Sequence, residues 1–318
     1  MRKNILLLAA ILASAACQSH RDSHGSSPLD SNRKKTRGNQ PYLIRFKPSV
    51  GSTYHYEMTS EITLTVRGGN RDEDMSTKSE MAVNYGISRD SDELVLEMNY
   101  EKIHIYEREG DSVADIVATG APGASDPKSR LLAELKAATI FARVHPADFT
   151  VAFSGGLEVI DRFVERNYAE SDKVQARRDW ENWVDQEIVW KNLGPIFRCF
   201  PDSAQYVGDR WTGHSTNVEL IGLILENNFQ LESIDAGIAT IRFEGRIRND
   251  SAGNWLMDDK ITGDLSGKEE GVSLVDSATG MPTSVEISLK VEGKVKINGR
   301  EVRIKYGKMT KMEGTKVN

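Results

Sequence analysis

Apolar and polar residues alternate through the first third of the chain. The even positions of residues 54–66 are mostly apolar and the odd positions polar, and the same period of two returns over residues 81–87 and 94–100. This period is typical of β-strands that bury one face and expose the other. The pattern therefore predicts three strands in this part of the chain.

The third of these predicted strands changes phase. Beyond residue 100 the apolar positions move to Ile103 and Ile105. Because one extra residue moves every following side chain to the opposite face, this change predicts a β-bulge near Glu101 and Lys102.

The C-terminal third repeats the alternation, over residues 241–247 and 285–297. Asn298-Gly299 follows directly, and this dipeptide is the strongest short signal for a hairpin turn. A two-residue turn at that point places Val295 opposite Val302, on the same apolar face. Turn chemistry and strand register therefore agree.

The middle of the chain contains helical patterns. Asp126-Pro127 supplies an N-cap residue and a proline for the first helical position, and apolar residues follow at helical spacing. A second helical region is predicted over residues 161–192. Between the two, residues 149–160 predict a short hairpin that turns at Gly155-Gly156. Residues 110–125 show no periodicity and predict a mobile loop.

These elements together predict an α+β fold that is mostly β. Strands with one apolar and one charged face need a cover. We therefore expect a single β-rich domain over residues 41–318. It would be built on a large, curved, half-barrel-like antiparallel sheet with two or three central helices packed on its concave face.

The N-terminus resembles that of a bacterial lipoprotein. Residues 1–16 combine a short basic start with an apolar run too short to span a bilayer, which predicts a signal peptide. Cys17 follows Ala15-Ala16 as in a lipobox, although Ser14 stands where Leu is common. Lipidation of Cys17 would anchor the protein, and Gln18 favours the outer membrane facing the periplasm. The alternative is ordinary secretion, with Cys17 an incidental thiol.

Composition narrows the possible partners. Residues 17–40 are rich in Ser, Asn, His and Gly, so beyond the lipidated cysteine they predict a disordered, basic tether. The whole chain carries 47 acidic and 41 basic residues. This acidic balance argues against a nucleic-acid partner bound through overall basicity.

The sequence offers no motif for a specific chemistry. Its six His residues lack the spacing of a zinc site, and residues 70–81 lack the Gly and the terminal Glu of a calcium loop. No nucleophile motif, phosphate-binding loop or dinucleotide fingerprint occurs. We therefore predict no catalytic residue, no metal and no cofactor. Cys199, in an apolar segment, is expected to be a buried thiol.

Aromatic residues of the second helical region are candidate contacts for an apolar ligand. Trp180, Trp183 and Trp190 lie in this region, and Tyr168 precedes them. They could line a cavity for an acyl chain. A tryptophan stripe at helical spacing is more often part of the core, and both interpretations are kept.

Five short motifs carry a family resemblance. In chain order they are VGSTYHYEM at residues 50–58, a Gly-rich segment at 149–160, VGDRW at 207–211, LSG at 265–267 and DSATG at 276–280. This order resembles a family of secreted bacterial lipoproteins known only as a domain of unknown function. The likeness covers nearly all of residues 42–312 and implies no catalytic residues. It also implies an outline similar to the half-barrels of lipoprotein carriers and lipid-binding lipoproteins.

The function hypothesis is a lipid-anchored binding or carrier module for an apolar ligand, such as a lipid or a lipoprotein acyl chain. The first alternative is a structural or protein-interaction module of the cell envelope with a filled core. The second is an enzyme, most plausibly a hydrolase, whose site is dispersed along the chain.

Overall fold

The computed structural model describes most of the expected domain. The described residues are 41–68, 72–118, 126–145, 151–184, 194, 196–197, 199–215, 223–249, 261–297 and 300–318. The predicted signal peptide, Cys17, the predicted tether, Trp190 and the predicted Asn298-Gly299 turn lie outside these residues. The predictions made for them remain predictions.

The described strands form one twelve-stranded antiparallel sheet. They are β1 (Thr53–Arg67), β2 (Glu73–Asp90), β3 (Glu93–Glu109), β4 (Ser112–Val117), β5 (Ile140–Val144), β6 (Val151–Ser154), β7 (Arg210–Ser215), β8 (Leu223–Asp235), β9 (Ile238–Asn249), β10 (Ile261–Asp276), β11 (Pro282–Ile297) and β12 (Arg300–Lys316). Their order across the sheet is β6-β5-β3-β2-β1-β12-β11-β10-β9-β8-β7, and β4 pairs with β3. The sheet is open, and the prediction of a mostly β fold on a large antiparallel sheet is confirmed.

The predicted bulge lies in β3. Ala82 pairs with Lys102, but the next residue, Val83, pairs with Tyr100. Glu101 is therefore the extra residue, and it lets the apolar side chains on both sides of it reach the same face. The phase change in the sequence located this irregularity correctly.

The β11–β12 hairpin also has the predicted register. Val295 pairs with Val302, and Ile297 pairs with Arg300. This is the register that the sequence predicts for β11 and β12.

Buried side chains define an inner face of the sheet, and they form two clusters. The helix-side cluster joins the buried residues of the helices to inner-face residues such as Leu96, Phe243 and Met312. The far cluster consists of Ile62, Leu64, Val66, Leu225, Ile247, Leu265, Leu289, Val291, Val295, Val302, Ile304 and Tyr306. The inner face is thus apolar at both ends of the long strands.

The described helices are α1 (Pro127–Lys136), α2 (Gly156–Asn167) and α3 (Lys173–Val184). Asp126 caps α1 as predicted, since its carboxylate accepts a hydrogen bond of 2.8 Å from the Ser129 backbone N–H. α1 packs on β3 and β4, and α2 packs against both other helices and β6. The buried apolar residues of these helices belong to the helix-side cluster. The helices therefore cover the inner face near β3.

Three local predictions were wrong. Residues 157–160 belong to α2 and not to a second hairpin strand, because their apolar residues continue at helical spacing as Val159, Ile160, Phe163 and Val164. β6 pairs with β5 instead. The helical region predicted over residues 161–192 is interrupted at Tyr168, whose backbone is extended. Part of the loop predicted over residues 110–125 is β4, which pairs with the end of β3.

Gly155 makes the junction between β6 and α2 possible. Its φ is 90°, and a Cβ at this position would lie 2.4 Å from the Thr139 carbonyl oxygen. We expect Gly155→Ala to lower the free energy of unfolding by about 3 kcal/mol, because backbone strain and a clash add. Gly51→Ala is the control, since Gly51 has a φ of 84° but nothing within 4 Å of the added Cβ.

Denaturant unfolding of both variants separates the cost of backbone strain from the cost of the steric clash. Strain alone predicts a loss of about 1 kcal/mol for Gly51→Ala. Equal losses in the two variants would contradict the role assigned to the close contact with Thr139.

Candidate functional site

The structure brings together three of the four aromatic residues predicted as ligand contacts. Trp180 Nε1 donates a hydrogen bond of 2.9 Å to the Tyr168 hydroxyl. The Trp180 ring meets Trp183 and Phe163 edge-on, at centroid distances of 5.7 and 5.5 Å. All three predicted residues are half-buried and pack against the helix-side cluster. Trp190 lies outside the described residues.

An ion pair between Lys128 and Glu107 lies beside this aromatic group. Lys128 Nζ lies 2.7 Å from a carboxylate oxygen of Glu107 and 5.6 Å from the centroid of the Trp183 ring. The lysine therefore links α1, α3 and β3 through an ion pair and a cation–π contact. These contacts give the aromatic group a packing role between helices, and its contact with a ligand stays a prediction.

A second arrangement lies on the inner face, where sequence reasoning found no candidate. A row runs across five neighbouring strands, in which Asn227 pairs with Gly245, Gly245 with Glu269, Glu269 with Leu289, and Leu289 with Lys308. We call this the polar row. Asn227 is only 3% exposed and Glu269 only 2%. A carboxamide and a carboxyl group are therefore buried on either side of a glycine.

On β8 and β9 the polar row separates the two apolar clusters, whereas on β11 its member Leu289 belongs to the far cluster. On β8, Leu225 of the far cluster and Phe229 of the helix-side cluster lie two residues to either side of Asn227. On β9, Ile247 and Phe243 flank Gly245 in the same way. The sequence does show that Asn227 is a polar residue where the alternation of its strand expects an apolar one. That observation reveals the polar row only when the pairing of the strands is known.

Glycines on the inner face let large side chains lie flat on the sheet. A Cβ added to Gly271 would lie 2.4 Å from the Phe243 ring, and one added to Gly314 would lie 2.2 Å from the Tyr56 ring. At Gly245 the added Cβ would lie 2.1 Å from Asn227 Oδ1. The Asn227 side chain therefore lies directly over Gly245.

A tyrosine group lies at the helix end of the inner face. Tyr54 pairs with Tyr85, and the Tyr85 ring meets the Tyr56 ring edge-on at 5.5 Å. The Tyr56 hydroxyl donates a hydrogen bond of 2.8 Å to the Pro282 carbonyl oxygen. Burial raises the pKa of Tyr56, and burial together with Tyr100 and Tyr56 raises the pKa of Tyr85 well above its usual range. Both phenols are neutral at physiological pH.

Several buried polar atoms of the inner face lack a hydrogen-bond partner among the described residues. They are Tyr54 Oη, Ser79 Oγ, Tyr85 Oη, Trp211 Nε1, Asn227 Oδ1 and Ser273 Oγ. Each such atom costs about 1–3 kcal/mol when it is buried unpaired. Folded proteins contain few of them, so their concentration on one face is a property to be explained.

Metal sites and membrane spans were the remaining possibilities in the part of the chain that the structure describes. In the described part of the chain, no three His, Cys, Asp or Glu side chains are placed to hold a metal ion. No helix in that part is long and apolar enough to cross a membrane. Cys199 is buried, as predicted, in the helix-side cluster.

Replacing Tyr168 tests the packing role of the aromatic group. Tyr168→Phe leaves the half-buried Trp180 Nε1 without its acceptor, so we expect the free energy of unfolding to fall by about 1 kcal/mol. Tyr206→Phe is the control, because Tyr206 is 38% exposed and lies outside this group. Denaturant unfolding followed by tryptophan fluorescence measures both. A loss confined to Tyr206→Phe, or equal in both variants, would contradict the assignment.

Solved structures show only distant similarity. Lipovitellin, in a structure of its lipid–protein interactions, matches with a TM-score of 0.46 and 10% identity over 85% of this chain and 26% of that chain. Thus this chain spans about a quarter of the lipovitellin chain. OpdQ of Pseudomonas aeruginosa matches with a TM-score of 0.22 and 4% identity, over 84% and 99% of the two chains. Both scores are too low to establish a shared fold.

Comparison of the amino-acid sequence with family models identifies the family of this chain. No curated protein matches the chain significantly. The family model of DUF6263, described as a family of unknown function, matches residues 92–282, which is more than half of the chain. The predicted membership of a family of unknown function is thereby confirmed, and the lipoprotein status that the resemblance implies stays a prediction. The chain belongs to DUF6263, a family of unknown function.

Proposed function

We propose that this chain is a lipid-anchored protein of the cell envelope that binds an apolar ligand, such as a lipid or an acyl chain, on the inner face of its sheet. The membrane is its partner through Cys17, and the outer membrane facing the periplasm is its location. The anchor and the location are supported by the signal sequence and the lipobox-like residues before Cys17.

The unpartnered polar atoms of the inner face carry the proposal. A core selected only for stability gains by replacing a buried, unpaired polar group with an apolar one of similar shape. The inner face keeps six such atoms among the described residues, and two apolar clusters lie beside them. A ligand with an apolar body and a few polar atoms would offset both the cost of these groups and the cost of its own transfer from water.

Lipid analysis of the purified protein tests the proposal. The full chain carrying Cys17→Ser, which removes the anchor's own acyl chains, is purified without detergent and extracted with organic solvent. We expect about one equivalent of an acyl lipid by mass spectrometry, absent from a mock preparation. Cys199→Ser added to the same chain is a matched control, since Cys199 is buried and should not change lipid content.

A stably folded protein without lipid would reject the ligand-binding function. It would also favour the alternative, a structural or protein-interaction module. Crosslinking in intact cells would then identify the envelope protein that it contacts.

Metabolic labelling tests the anchor separately. We expect labelled palmitate to be incorporated into the unaltered chain and into Cys199→Ser, but not into Cys17→Ser, because only the cysteine after the signal peptide is acylated. The unaltered chain should fractionate with outer membranes. Label in Cys17→Ser, or no label in any of the three proteins, would reject lipidation at Cys17.

A further inference from the structure

The segment that leads into the domain, residues 41–47, is fixed on the end of the sheet where β10 connects to β11. Tyr42 and Gln205 exchange two backbone hydrogen bonds of 2.8 Å. The Lys47 backbone N–H donates a hydrogen bond of 2.7 Å to the carbonyl oxygen of Thr279, which lies in the connection between the two strands. The backbone of the segment is therefore held at both of its ends.

The two sides of this segment differ in polarity and burial. Ile44 and Phe46 are 0% and 4% exposed and belong to the helix-side cluster. Leu43, Arg45 and Lys47 alternate with them and are exposed, as residues on the opposite side of an extended backbone are. The Leu43 side chain leaves 47% of its surface to solvent. The outer side of the segment therefore combines one apolar and two basic side chains.

Tyr206 continues this outer side. Because Tyr42 and Gln205 are paired in an antiparallel bridge, their neighbours Leu43 and Tyr206 project on the side opposite to the pair. Tyr206 is 38% exposed, whereas Gln205 is 8% exposed. Leu43 and Tyr206 are diagonal neighbours, about 7–8 Å apart. We call Leu43, Arg45, Lys47 and Tyr206 the entry surface.

The two cations of the entry surface lack an ion-pair partner in the described part of the chain. This holds for the Arg45 guanidinium and for the Lys47 ammonium group. The carboxylate of Asp209, in the turn beside the surface, accepts the Tyr206 backbone N–H at 2.8 Å. Residues 17–40, which directly precede the segment, carry five basic and two acidic residues in a chain that is acidic as a whole. Positive charge is thus concentrated where the chain enters the domain.

We propose that the entry surface docks the domain on an anionic phospholipid bilayer. Leucine, tyrosine and basic side chains are favoured where lipid headgroups meet acyl chains. The predicted tether ends at this surface, so an anchor at Cys17 would hold the surface within reach of the same membrane. This inference rests on the proposed anchor and adds an orientation. Docking would hold the helix-side cluster, to which Ile44 and Phe46 belong, beside the bilayer that supplies an acyl ligand.

The size of the entry surface favours a lipid partner over a protein partner. Stable protein interfaces use about 20–30 residues a side, many more than the four residues of this surface. A domain that is already anchored needs only a weak additional contact, because the anchor raises its effective concentration at the membrane.

Fluorescent probes on the anchored protein test the docking. Leu43→Cys is labelled with the dye NBD and reconstituted into vesicles of phosphatidylethanolamine and phosphatidylglycerol. An acylated Cys17 and the buried Cys199 do not react with the dye. We expect the emission to shift to shorter wavelength and doxyl-labelled lipids to quench it, because the probe enters the headgroup region.

Val113→Cys is the matched control for the probe. Val113 is 54% exposed, close to the value for Leu43. It lies on β4, in the row of paired residues that includes Lys290. This row is about eight residues, or roughly 27 Å, along β11 from Pro282 and the entry surface. No shift and no quenching are expected at this position.

Charge variants test the preference for anionic lipid. Arg45→Gln combined with Lys47→Gln, in the labelled Leu43→Cys protein, should lower the ratio of docked to undocked protein about 25-fold, or fivefold for each cation. Arg246→Gln combined with Lys290→Gln is the control. These two residues are exposed, lie in the distant row and form no ion pair among the described residues. The control should keep the full shift.

Each other outcome identifies what failed. Protein that floats with the vesicles but gives the same emission from residues 43 and 113 would overturn the docking and leave the anchor intact. A shift that survives the loss of Arg45 and Lys47 would overturn the role of anionic lipid. A shift that requires a second envelope protein would assign the surface to a protein partner instead. Protein that does not float with the vesicles would reject the anchor and the docking together.

Discussion

The pairing of β1 with β12 holds the molecule together. β1 (Thr53–Arg67) and β12 (Arg300–Lys316) are paired along almost their whole length, although they come from opposite ends of the domain. This ladder joins β1–β6 to β7–β12 in a single sheet. Without it, two smaller sheets would each expose an additional edge of unpaired backbone groups.

The same ladder makes the inner face continuous. Met58 on β1 lies opposite Met312 on β12, and Ser60 lies opposite Thr310. Both clusters extend across this junction, since each contains residues of β1 and of β12. The polar row also reaches β12 at Lys308. The continuity of the inner face therefore depends on contacts between residues about as far apart in sequence as the domain allows.

The structural features that depend on the spacing of residues close in sequence could be predicted. The period of two located the long strands, the phase change located the bulge at Glu101, and Asn298-Gly299 gave the register of β11 and β12. The Gly155-Gly156 pair misled, because it ends a strand and begins a helix and does not turn a hairpin. The polar row could not be predicted, since Asn227 and Glu269 become neighbours only through the pairing of three strands.

Polar side chains on the two faces of the sheet differ in whether the protein supplies their hydrogen-bond partners. On the outer face, Glu80 receives hydrogen bonds from Lys78 and Lys102, which lower its pKa to about 2. Its charge is balanced by the protein itself. On the inner face, Asn227 Oδ1 is buried without a partner in the described chain. Water can offset an unmet group at the surface, but a buried one needs a partner brought to it. This asymmetry is what makes the inner face, and not the charged outer face, the place to look for function.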